Sequence, residues 1–533
     1  MNQHPSVAPS VAPSVAPPVA PSGVRLGVVR GISYGMFGAP DSFVPEMRRL
    51  GGTLVRVYVY WGQVEPEPGR YDWTVVDAML GQLDPADEVW VTVCSSSPWA
   101  TRHPTGFLPS SPAHDPRQYE RFVDALVTRC RGRVHYWQCN NEPSNTGLLW
   151  AGTASEYVDQ LTAFHRGVRG ADPQARVVLG GCGYDVLAGT AGSPARQFFD
   201  HVVAHGRDFY DLFSVHLYGD PHHIPEQVES VREMMRRHGY ERPVVAGEYN
   251  GPTLFEFPEA QAAFQQTMMA AFAGPEPATP ETQPADAAPD GSADAAPDES
   301  PDAASHGSLD EASHEPPDRT AMRSLYARRS QLPPQLQMFM EDCPPELAAK
   351  RDRINCRQIV TRNVLALAAG VTRTACWNLA PEIPGYRDRL NMMGFLFGRL
   401  ALMDYDGSGR LSRRHPSADT FALVTACLDG TTQVRRLDAG GRPELYAFEV
   451  SRGGRGPLHV LWVAGDAFTG EDEPGTPVDW PWPHATVHAL DAFGTRVPVE
   501  RNGGTVHLCA SVTPLFLSTH PEASARLEAS ARP

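Results

Sequence analysis

Lysine is nearly absent from this sequence. Lys350 is the only one among 533 residues, and arginine supplies the other basic side chains. The formal net charge is -16, so the chain lacks the positive field that nucleic-acid binding requires. No apolar run approaches the length of a membrane-spanning helix. We therefore expect neither a nucleic acid nor a membrane as partner.

Paired cysteine motifs are also missing. The nine cysteines are scattered and odd in number, with no CxxC pair and no zinc-binding spacing. Most lie in apolar runs, which predicts buried free thiols and a reducing compartment. The N-terminal segment has neither the basic start nor the uninterrupted apolar core of a secretory signal. A cytoplasmic location is therefore expected, unless the natural start lies upstream.

A glycine-rich phosphate turn after the first strand is lacking as well, which argues against a doubly wound sheet. Short apolar runs instead alternate with helical patterns, as in βα units around a parallel sheet. The runs number eight, as a closed barrel needs. They are Gly31 to Met36, Leu54 to Tyr60, Glu88 to Val93, Val134 to Asn140, Val177 to Cys182, Leu212 to Tyr218, Pro243 to Glu248 and Thr374 to Leu379.

The length allows a barrel of about 250 residues and an accessory module. We predict a (β/α)8 TIM barrel followed by a C-terminal antiparallel β-sandwich. The predicted segments are a disordered Pro/Ala-rich tail over 1–25, the barrel over 26–400 with a disordered acidic insertion at about 275–319, the sandwich over 410–520 and a tail over 521–533. The segment 320–353 regains apolar residues and is expected near the barrel mouth as a lid.

The sandwich prediction rests on short alternating runs divided by Gly/Asp turns. The predicted strands are FALVTACLDG, ELYAFEVSRGG, LHVLWVAGD, ATVHALDAFG, TVHLCAS and TPLFLS.

Two glutamates end two different predicted barrel strands. Glu142 follows the fourth strand and Glu248 closes the seventh, so both lie at the end of the barrel where TIM-barrel active sites form. Glycosidic cleavage needs such a pair, one carboxyl protonated and the other ionised. Glu256 and Glu259 compete with Glu248, but they lie beyond the strand in a loop.

Polar side chains share the interior face of two further strands. Alternation in the second strand places Arg56, Tyr58 and Tyr60 on the face opposite its valines. The sixth strand likewise sends His216 and Tyr218 to one face. The predicted barrel interior is thus polar at the end that carries the glutamates.

Three features together resemble the retaining glycosidases of clan A. They are NNEPS around Glu142, a glutamate about a hundred residues later that closes an apolar strand, and RVYVYWGQVEPEPGRYDW from Arg56 to Trp73. With the C-terminal sandwich, the chain is most similar to family 39, which includes β-xylosidases, iduronidases and exopolysaccharide-cleaving enzymes. The resemblance implies that Glu142 is the acid/base, that Glu248 is the nucleophile and that Asn141 donates to the sugar 2-hydroxyl.

The same resemblance implies supporting roles. Arg56, His216 and Tyr218 would hold Glu248 ionised and oriented, because a nearby cation or donor lowers the pKa of a carboxylate. Trp377, at the end of the eighth strand, matches an aromatic platform under the sugar. Trp61 and Trp99 are further candidates for aromatic residues at the rim.

The sequence therefore predicts a retaining glycoside hydrolase of β-xylosidase type that acts on an oligo- or polysaccharide. The alternatives are an endo-β-glucanase or mannanase resembling family 5, and a non-catalytic carbohydrate-binding barrel. Neither a cofactor nor a metal is expected. DYDGSGR, from Asp404 to Arg410, has His415 where a calcium loop would need Glu, so it predicts an exposed turn. Sugar, linkage, exo or endo action and oligomeric state are not given by the sequence.

Overall fold

The computed structural model describes residues 23–272, 317–381, 388–406, 408 and 410–520. Nearly all of the predicted tails and of the predicted acidic insertion lies outside these residues. The first eight strands are β1 (Arg25–Val29), β2 (Leu54–Tyr60), β3 (Glu88–Cys94), β4 (Tyr136–Cys139), β5 (Arg176–Val178), β6 (Phe213–Leu217), β7 (Val244–Tyr249) and β8 (Arg373–Cys376). They pair in parallel in the order β5-β4-β3-β2-β1-β8-β7-β6.

The barrel closes between β5 and β6. Isolated parallel bridges join Val178 to Leu212 and Cys182 to Val215, and the Leu179 amide donates to the Leu212 carbonyl at 2.9 Å. The predicted (β/α)8 barrel is therefore confirmed.

Helices follow the strands and cover the barrel. The α-helices of the described residues are α1 (Val44–Arg49), α2 (Trp61–Val64), α3 (Thr74–Leu80), α4 (Pro116–Cys130), α5 (Ala154–Ala171), α6 (Tyr184–Leu187), α7 (Pro194–Gly206), α8 (Ile224–Arg236), α9 (Pro258–Phe272), α10 (Pro317–Ala327), α11 (Pro334–Gln337), α12 (Pro345–Ala368), α13 (Met392–Phe397) and α14 (Pro416–Leu428). The valine face of β2 packs into this layer, as strand alternation predicts.

The predicted position of the first strand is wrong. Residues 31–36 form turns beyond the carboxyl end of the first strand, and the strand is the preceding run RLGVV. Gly31 and Gly35 have φ values of 108° and 66°, which extended strand backbone does not adopt. The shift places the segment 31–36 among the loops that border the site.

The segment 320–353 forms part of a small apolar cluster. Its helices α10 and α11 pack on α9 and, with α13, bury Met322, Leu325, Leu336, Phe339 and Phe395. The segment is thus anchored on the loops after β7 and β8, whereas its role as a lid stays a prediction.

The C-terminal domain has two antiparallel sheets with an apolar core between them. The remaining strands are β9 (Met403–Tyr405), β10 (Leu411–Arg414), β11 (Thr431–Arg436), β12 (Leu445–Arg452), β13 (Leu458–Val463), β14 (Thr476–Pro481), β15 (His488–Asp491), β16 (Glu500–Asn502), β17 (Thr505–Ala510) and β18 (Leu515–Ser518). The sheet orders are β11-β12-β13-β18-β15 and β14-β17-β16, so the predicted sandwich is confirmed.

The prediction that FALVTACLDG is a sandwich strand is wrong, because this segment lies in helix α14. Pro416 at its first turn suits a helix start. Nearly every residue of α14 is buried, so its sequence shows no polar stripe and resembles a buried strand. The helix packs on α12, and the Thr425 hydroxyl donates to the Leu50 carbonyl at 2.7 Å. It therefore joins the two domains.

The segment predicted as an exposed turn connects β9 and β10, which pair as an antiparallel hairpin. The Asp406 side chain accepts from the Ser408 and Arg410 amides there.

All nine cysteines are free thiols, and seven of them are buried, as the sequence predicts. Among the described residues, no helix combines the length and apolarity needed to cross a membrane.

Candidate active site

The two predicted glutamates meet at the carboxyl ends of the barrel strands. Oxygens of Glu142 and Glu248 and a ring nitrogen of His216 all lie within 4.8 Å of one another. The Glu248 side chain is 6% exposed and that of Glu142 is 17% exposed. Glu248 thus lies deeper, and Glu142 is the more open to the cleft.

The backbone that carries Glu142 is strained. Asn140 and Glu142 have φ values of 56° and 38°, in the left-handed region that glycine occupies most easily. Strand β4 accordingly ends at Cys139, and the alternation predicted through Glu142 stops there. Asn140 turns to β3, where its Oδ1 accepts from the Ser95 amide at 2.7 Å. Strain of this kind is characteristic of functional sites.

Glu248 accepts hydrogen bonds from three side chains. Arg56 Nη1 and the Tyr58 hydroxyl lie 2.7 and 2.9 Å from Oε1, and the Tyr218 hydroxyl lies 2.9 Å from Oε2. Burial opposes ionisation of this carboxyl, but the electrostatic effects of His216 and Arg56 and the hydrogen bonds from Arg56 and Tyr218 lower the pKa of Glu248 below its ordinary value. The site therefore favours the ionised form of Glu248.

Arg56 is fully buried and joins several strands. Its Nε donates to Thr92 Oγ1 at 3.0 Å, and its Nη1 also donates to the Gly247 carbonyl at 2.9 Å. Nη2 donates to Asn141 Oδ1 at 2.7 Å. This planar fork connects the Glu248 carboxylate to the amide beside Glu142.

His216 lies between the two glutamates. Its Nδ1 is 2.5 Å from Glu142 Oε1 and 3.4 Å from Glu248 Oε2. His216 is therefore closer to Glu142 than to Glu248, the carboxylate that the resemblance expects it to support. Burial raises the pKa of Glu142 against the effect of His216, and the charges of Glu248 and Asp185 add to the rise. The two carboxyls are thus shifted in opposite directions, which is the pattern of an acid and an anion working together.

These three groups are also of the types that bind divalent cations. The donors already present on Glu248 include the Arg56 guanidinium, which opposes a second positive charge at that carboxylate. The set therefore fits acid–base chemistry better than metal binding.

Two glycines between β5 and α6 make room for the site. A Cβ added to Gly181 would lie 2.1 Å from His216 Nε2. A Cβ added to Gly183 would lie 2.6 Å from Asp185 Oδ1 and 3.1 Å from Glu142 Oε1. The separations of 2.1 and 2.6 Å are shorter than real Cβ contacts, so a side chain at Gly181 would displace the His216 ring and one at Gly183 would displace the Asp185 carboxylate.

The competing glutamates lie elsewhere. The Glu256 carboxylate is buried, pairs with Arg362 Nη2 at 3.0 Å and accepts from Gln358. Arg362 also donates to the Leu217 carbonyl at 2.9 Å, so this pair fixes the end of β6. Glu259 is exposed at the start of α9.

The aromatic candidates differ in position. Trp377 is 8% exposed and packs in one cluster with Tyr58 and Tyr218. Trp61 is fully buried against α4, where its ring stacks on Phe122. Trp99 packs edge-on against Trp61, and its Nε1 donates to the Glu65 carbonyl at 2.9 Å. The structure therefore brings Trp377 to the site and places Trp61 and Trp99 in the packing around α4.

Two residues at the site were not among the predicted candidates. Tyr58 donates a hydrogen bond to Glu248. The sequence did indicate this position, because strand alternation puts Tyr58 on the same face as Arg56. Asp185 approaches Glu142 from α6 and accepts from Ser144 Oγ at 3.1 Å. Its only signal was the glycine-rich run LGGCGYD that precedes it.

No protein-family model matches the sequence, and no curated protein matches it either. Solved structures do resemble the fold. A family 39 glycoside hydrolase from the gut symbiont Bacteroides cellulosilyticus WH2 is 14% identical, with a TM-score of 0.54 over 89% of this chain and 77% of the other. The family 51 α-L-arabinofuranosidase AbfB from Bifidobacterium longum is 12% identical, with a TM-score of 0.51 over 95% and 98%.

A monomeric β-xylosidase from Caulobacter crescentus is also 12% identical, with a TM-score of 0.50 over 94% of this chain and 97% of the other. These structures cover most of the chain but have low sequence identity to it. They therefore support the fold, whereas the chemistry is argued from the residues of the site. The chain shares its fold with glycoside hydrolases that include family 39, as its resemblance to that family predicts.

Proposed function

We propose that the chain is a retaining glycoside hydrolase of β-xylosidase type, with Glu142 as acid/base and Glu248 as nucleophile. One observation carries the proposal: a carboxylate oxygen of Glu142 lies within 4.8 Å of one of Glu248. Retaining enzymes hold their two carboxyl groups about 5–5.5 Å apart, and inverting enzymes about 6.5–9.5 Å. A non-catalytic barrel would have no need for this pair or for its donors.

In the first step, a Glu248 oxygen attacks the anomeric carbon and the bond to the leaving oxygen breaks. Glu142 gives its proton to that oxygen, so the leaving group departs as an alcohol. The hydrogen bonds from Arg56, Tyr58 and Tyr218 keep Glu248 ionised until the attack. The product of this step is a glycosyl ester on Glu248.

In the second step, Glu142 accepts a proton from water as the water oxygen attacks the anomeric carbon and frees Glu248. Esterification removes the charge on Glu248, which is one cause of the raised pKa of Glu142. The pKa of Glu142 then falls, which suits its change from acid to base.

Two further residues contribute to substrate binding. Arg56 donates a hydrogen bond to Asn141 Oδ1. The Asn141 side-chain N–H group is then the donor for the sugar 2-hydroxyl. Trp377, packed beside Tyr58 and Tyr218, is the aromatic platform under the sugar.

The β-xylosidase type rests on the resemblance to family 39 and on the fold shared with the Caulobacter enzyme. An endo-acting β-glucanase or mannanase remains the second candidate. A panel of 4-nitrophenyl glycosides, followed by polysaccharides, separates them, because exo-action releases monosaccharide from the first products onward. A polysaccharide that yields only longer fragments would favour the endo-acting enzyme.

Carboxyl replacement tests the mechanism. Glu142→Gln is expected to lower kcat/KM by about 10²–10⁴-fold on substrates with poor leaving groups, and Glu248→Gln by about 10⁴-fold or more. Glu259→Gln serves as the matched control, because Glu259 is exposed in the first turn of α9. Undiminished turnover in both site variants would refute the proposal.

Azide separates the two roles. In Glu142→Ala, azide occupies the space of the missing carboxyl and attacks the glycosyl-enzyme, so the glycosyl azide retains the substrate's configuration. In Glu248→Ala, azide replaces the nucleophile itself, so the product is inverted. NMR of the anomeric proton distinguishes these products, and exchanged configurations would reverse the assignment.

A cytoplasmic location belongs to the proposal as well. It is supported by the nine free thiols, which suit a reducing compartment. Fractionation of the native host, with activity measured in the cytoplasm and in the medium, tests it.

A further inference from the structure

Asp185 lies beside the proposed acid/base and is exposed. Its carboxylate and that of Glu142 crowd the same point at Gly183, at 2.6 and 3.1 Å from a Cβ built there. Glu142 is largely buried, whereas Asp185 is exposed. An exposed carboxylate therefore adjoins the group that protonates the leaving oxygen.

The position of Asp185 is fixed from two sides. It lies in the first turn of α6, and its Oδ2 accepts from Ser144 Oγ at 3.1 Å. Ser144 follows Glu142 by two residues, so this bond ties α6 to the loop of the acid/base. Such anchoring holds a side chain ready to bind and lowers the entropic cost of binding.

An aromatic pair adjoins Asp185. The rings of Tyr184 and Phe255 stack at 5.1 Å between centroids, and both are half-buried. Tyr184 packs against the cluster that contains Tyr218 and Trp377. An aromatic surface next to a fixed polar group is the usual composition of a site that orients a small polar ligand.

The first step of the proposed mechanism indicates which part of the substrate lies near Asp185. Glu142 donates to the leaving oxygen, so groups that adjoin Glu142 from α6 face the leaving group and not the sugar that becomes attached to Glu248. A carboxylate accepts hydrogen bonds from hydroxyls, and flat rings cover the apolar face of a sugar.

We infer that Asp185, with Tyr184 and Phe255, forms a subsite for a second sugar as leaving group. The inference rests on the proposed function and narrows it to oligosaccharide cleavage, in preference to glycosides with an apolar leaving group. Asp185 binds hydroxyls of the leaving sugar, and the aromatic pair supports its ring.

The test compares two substrates of the sugar that the wild-type enzyme hydrolyses fastest, the 4-nitrophenyl glycoside and the β-1,4 disaccharide. Asp185→Ala is expected to lower kcat/KM on the disaccharide by about 10–100-fold, the range for a hydrogen bond to a charged group. The nitrophenyl group offers no hydroxyls, so kcat/KM on that substrate should show only the effect of Asp185 on Glu142 and should fall at least about tenfold less than on the disaccharide.

A second variant separates binding from an effect on the acid/base. Phe255 is not among the groups that contact Glu142, and Phe255→Ala should lower kcat/KM on the disaccharide by about fivefold with an unchanged pH profile. Removal of the Asp185 charge also lowers the pKa of Glu142, so each variant is compared with the wild-type enzyme at its own pH optimum. An equal loss of kcat/KM on both substrates in Asp185→Ala under those conditions would overturn the inference.

The failure of the inference differs from that of the proposed function. If the wild-type enzyme hydrolyses neither substrate class, the glycosidase assignment fails. If it hydrolyses both and Asp185→Ala does not discriminate between them, only the subsite fails.

Discussion

The strained backbone at Glu142 makes a prediction about stability that is independent of the substrate. Glu142→Ala and Glu142→Gly remove the same carboxyl and differ by one carbon. At a φ of 38° that carbon is unfavourable, because a Cβ in left-handed backbone costs about 1–2 kcal/mol. Glycine avoids this cost but loses about 0.5–1 kcal/mol through its freer unfolded chain. The glycine variant should therefore be more stable by up to about 1.5 kcal/mol.

The measurement is a pair of unfolding experiments. A difference of 1 kcal/mol corresponds to about 1–3 °C in the thermal midpoint for a domain of this size, and urea titration provides a second estimate. The same pair of substitutions at Glu259 is the matched control, since Glu259 lies in the first turn of α9. There glycine should be the less stable variant by about 0.5–1 kcal/mol. An alanine variant at Glu142 that equals or exceeds the glycine variant would refute the strain argument.

Two further predictions concern the support of the carboxyls. Arg56→Lys keeps a positive charge but loses the planar fork, so the pKa of Glu248 should rise. In the proposed mechanism Glu248 acts in its ionised form, so the acidic limb of the kcat/KM profile should move to higher pH by about one unit. An acidic limb at the wild-type position would contradict this. Gly181→Ala should displace the His216 ring and lower kcat/KM by about 10²-fold, whereas Gly192→Ala, which meets nothing within 4 Å, should leave kcat/KM unchanged.

The architecture was largely predictable because most barrel strands carry a short, wholly buried apolar run. β2 and β3 match their predicted bounds closely. The two errors have different origins. α14 was mistaken for a strand because burial on all sides removes the periodicity that separates helix from strand. The first strand was shifted onto the turns that follow it, where Gly31 and Gly35 adopt positive φ.

The candidate site was predictable where one strand supplies the residue. Arg56 and Tyr218 are brought to Glu248 by alternation alone. Asp185 was not predictable, because its approach to Glu142 depends on the path of the loop between β5 and α6. The packing role of Trp61 was not predictable either. The sequence does not distinguish a tryptophan just after a strand that faces the site from one that packs against the helices, as Trp61 does.

The pKa values of the two glutamates are shifted in opposite directions because different side chains surround each one. Glu248 receives two donors from β2 and one from Tyr218, just after β6. One of them is a guanidinium that keeps its charge at any physiological pH. Glu142 has the His216 ring as its side-chain partner, and it faces the carboxylates of Glu248 and Asp185. A reversal of roles would require the Arg56 fork to move from one glutamate to the other. Because Arg56 is fixed through Thr92 and the Gly247 carbonyl, the barrel favours the ionised form of Glu248 and the protonated form of Glu142, as the proposed mechanism requires.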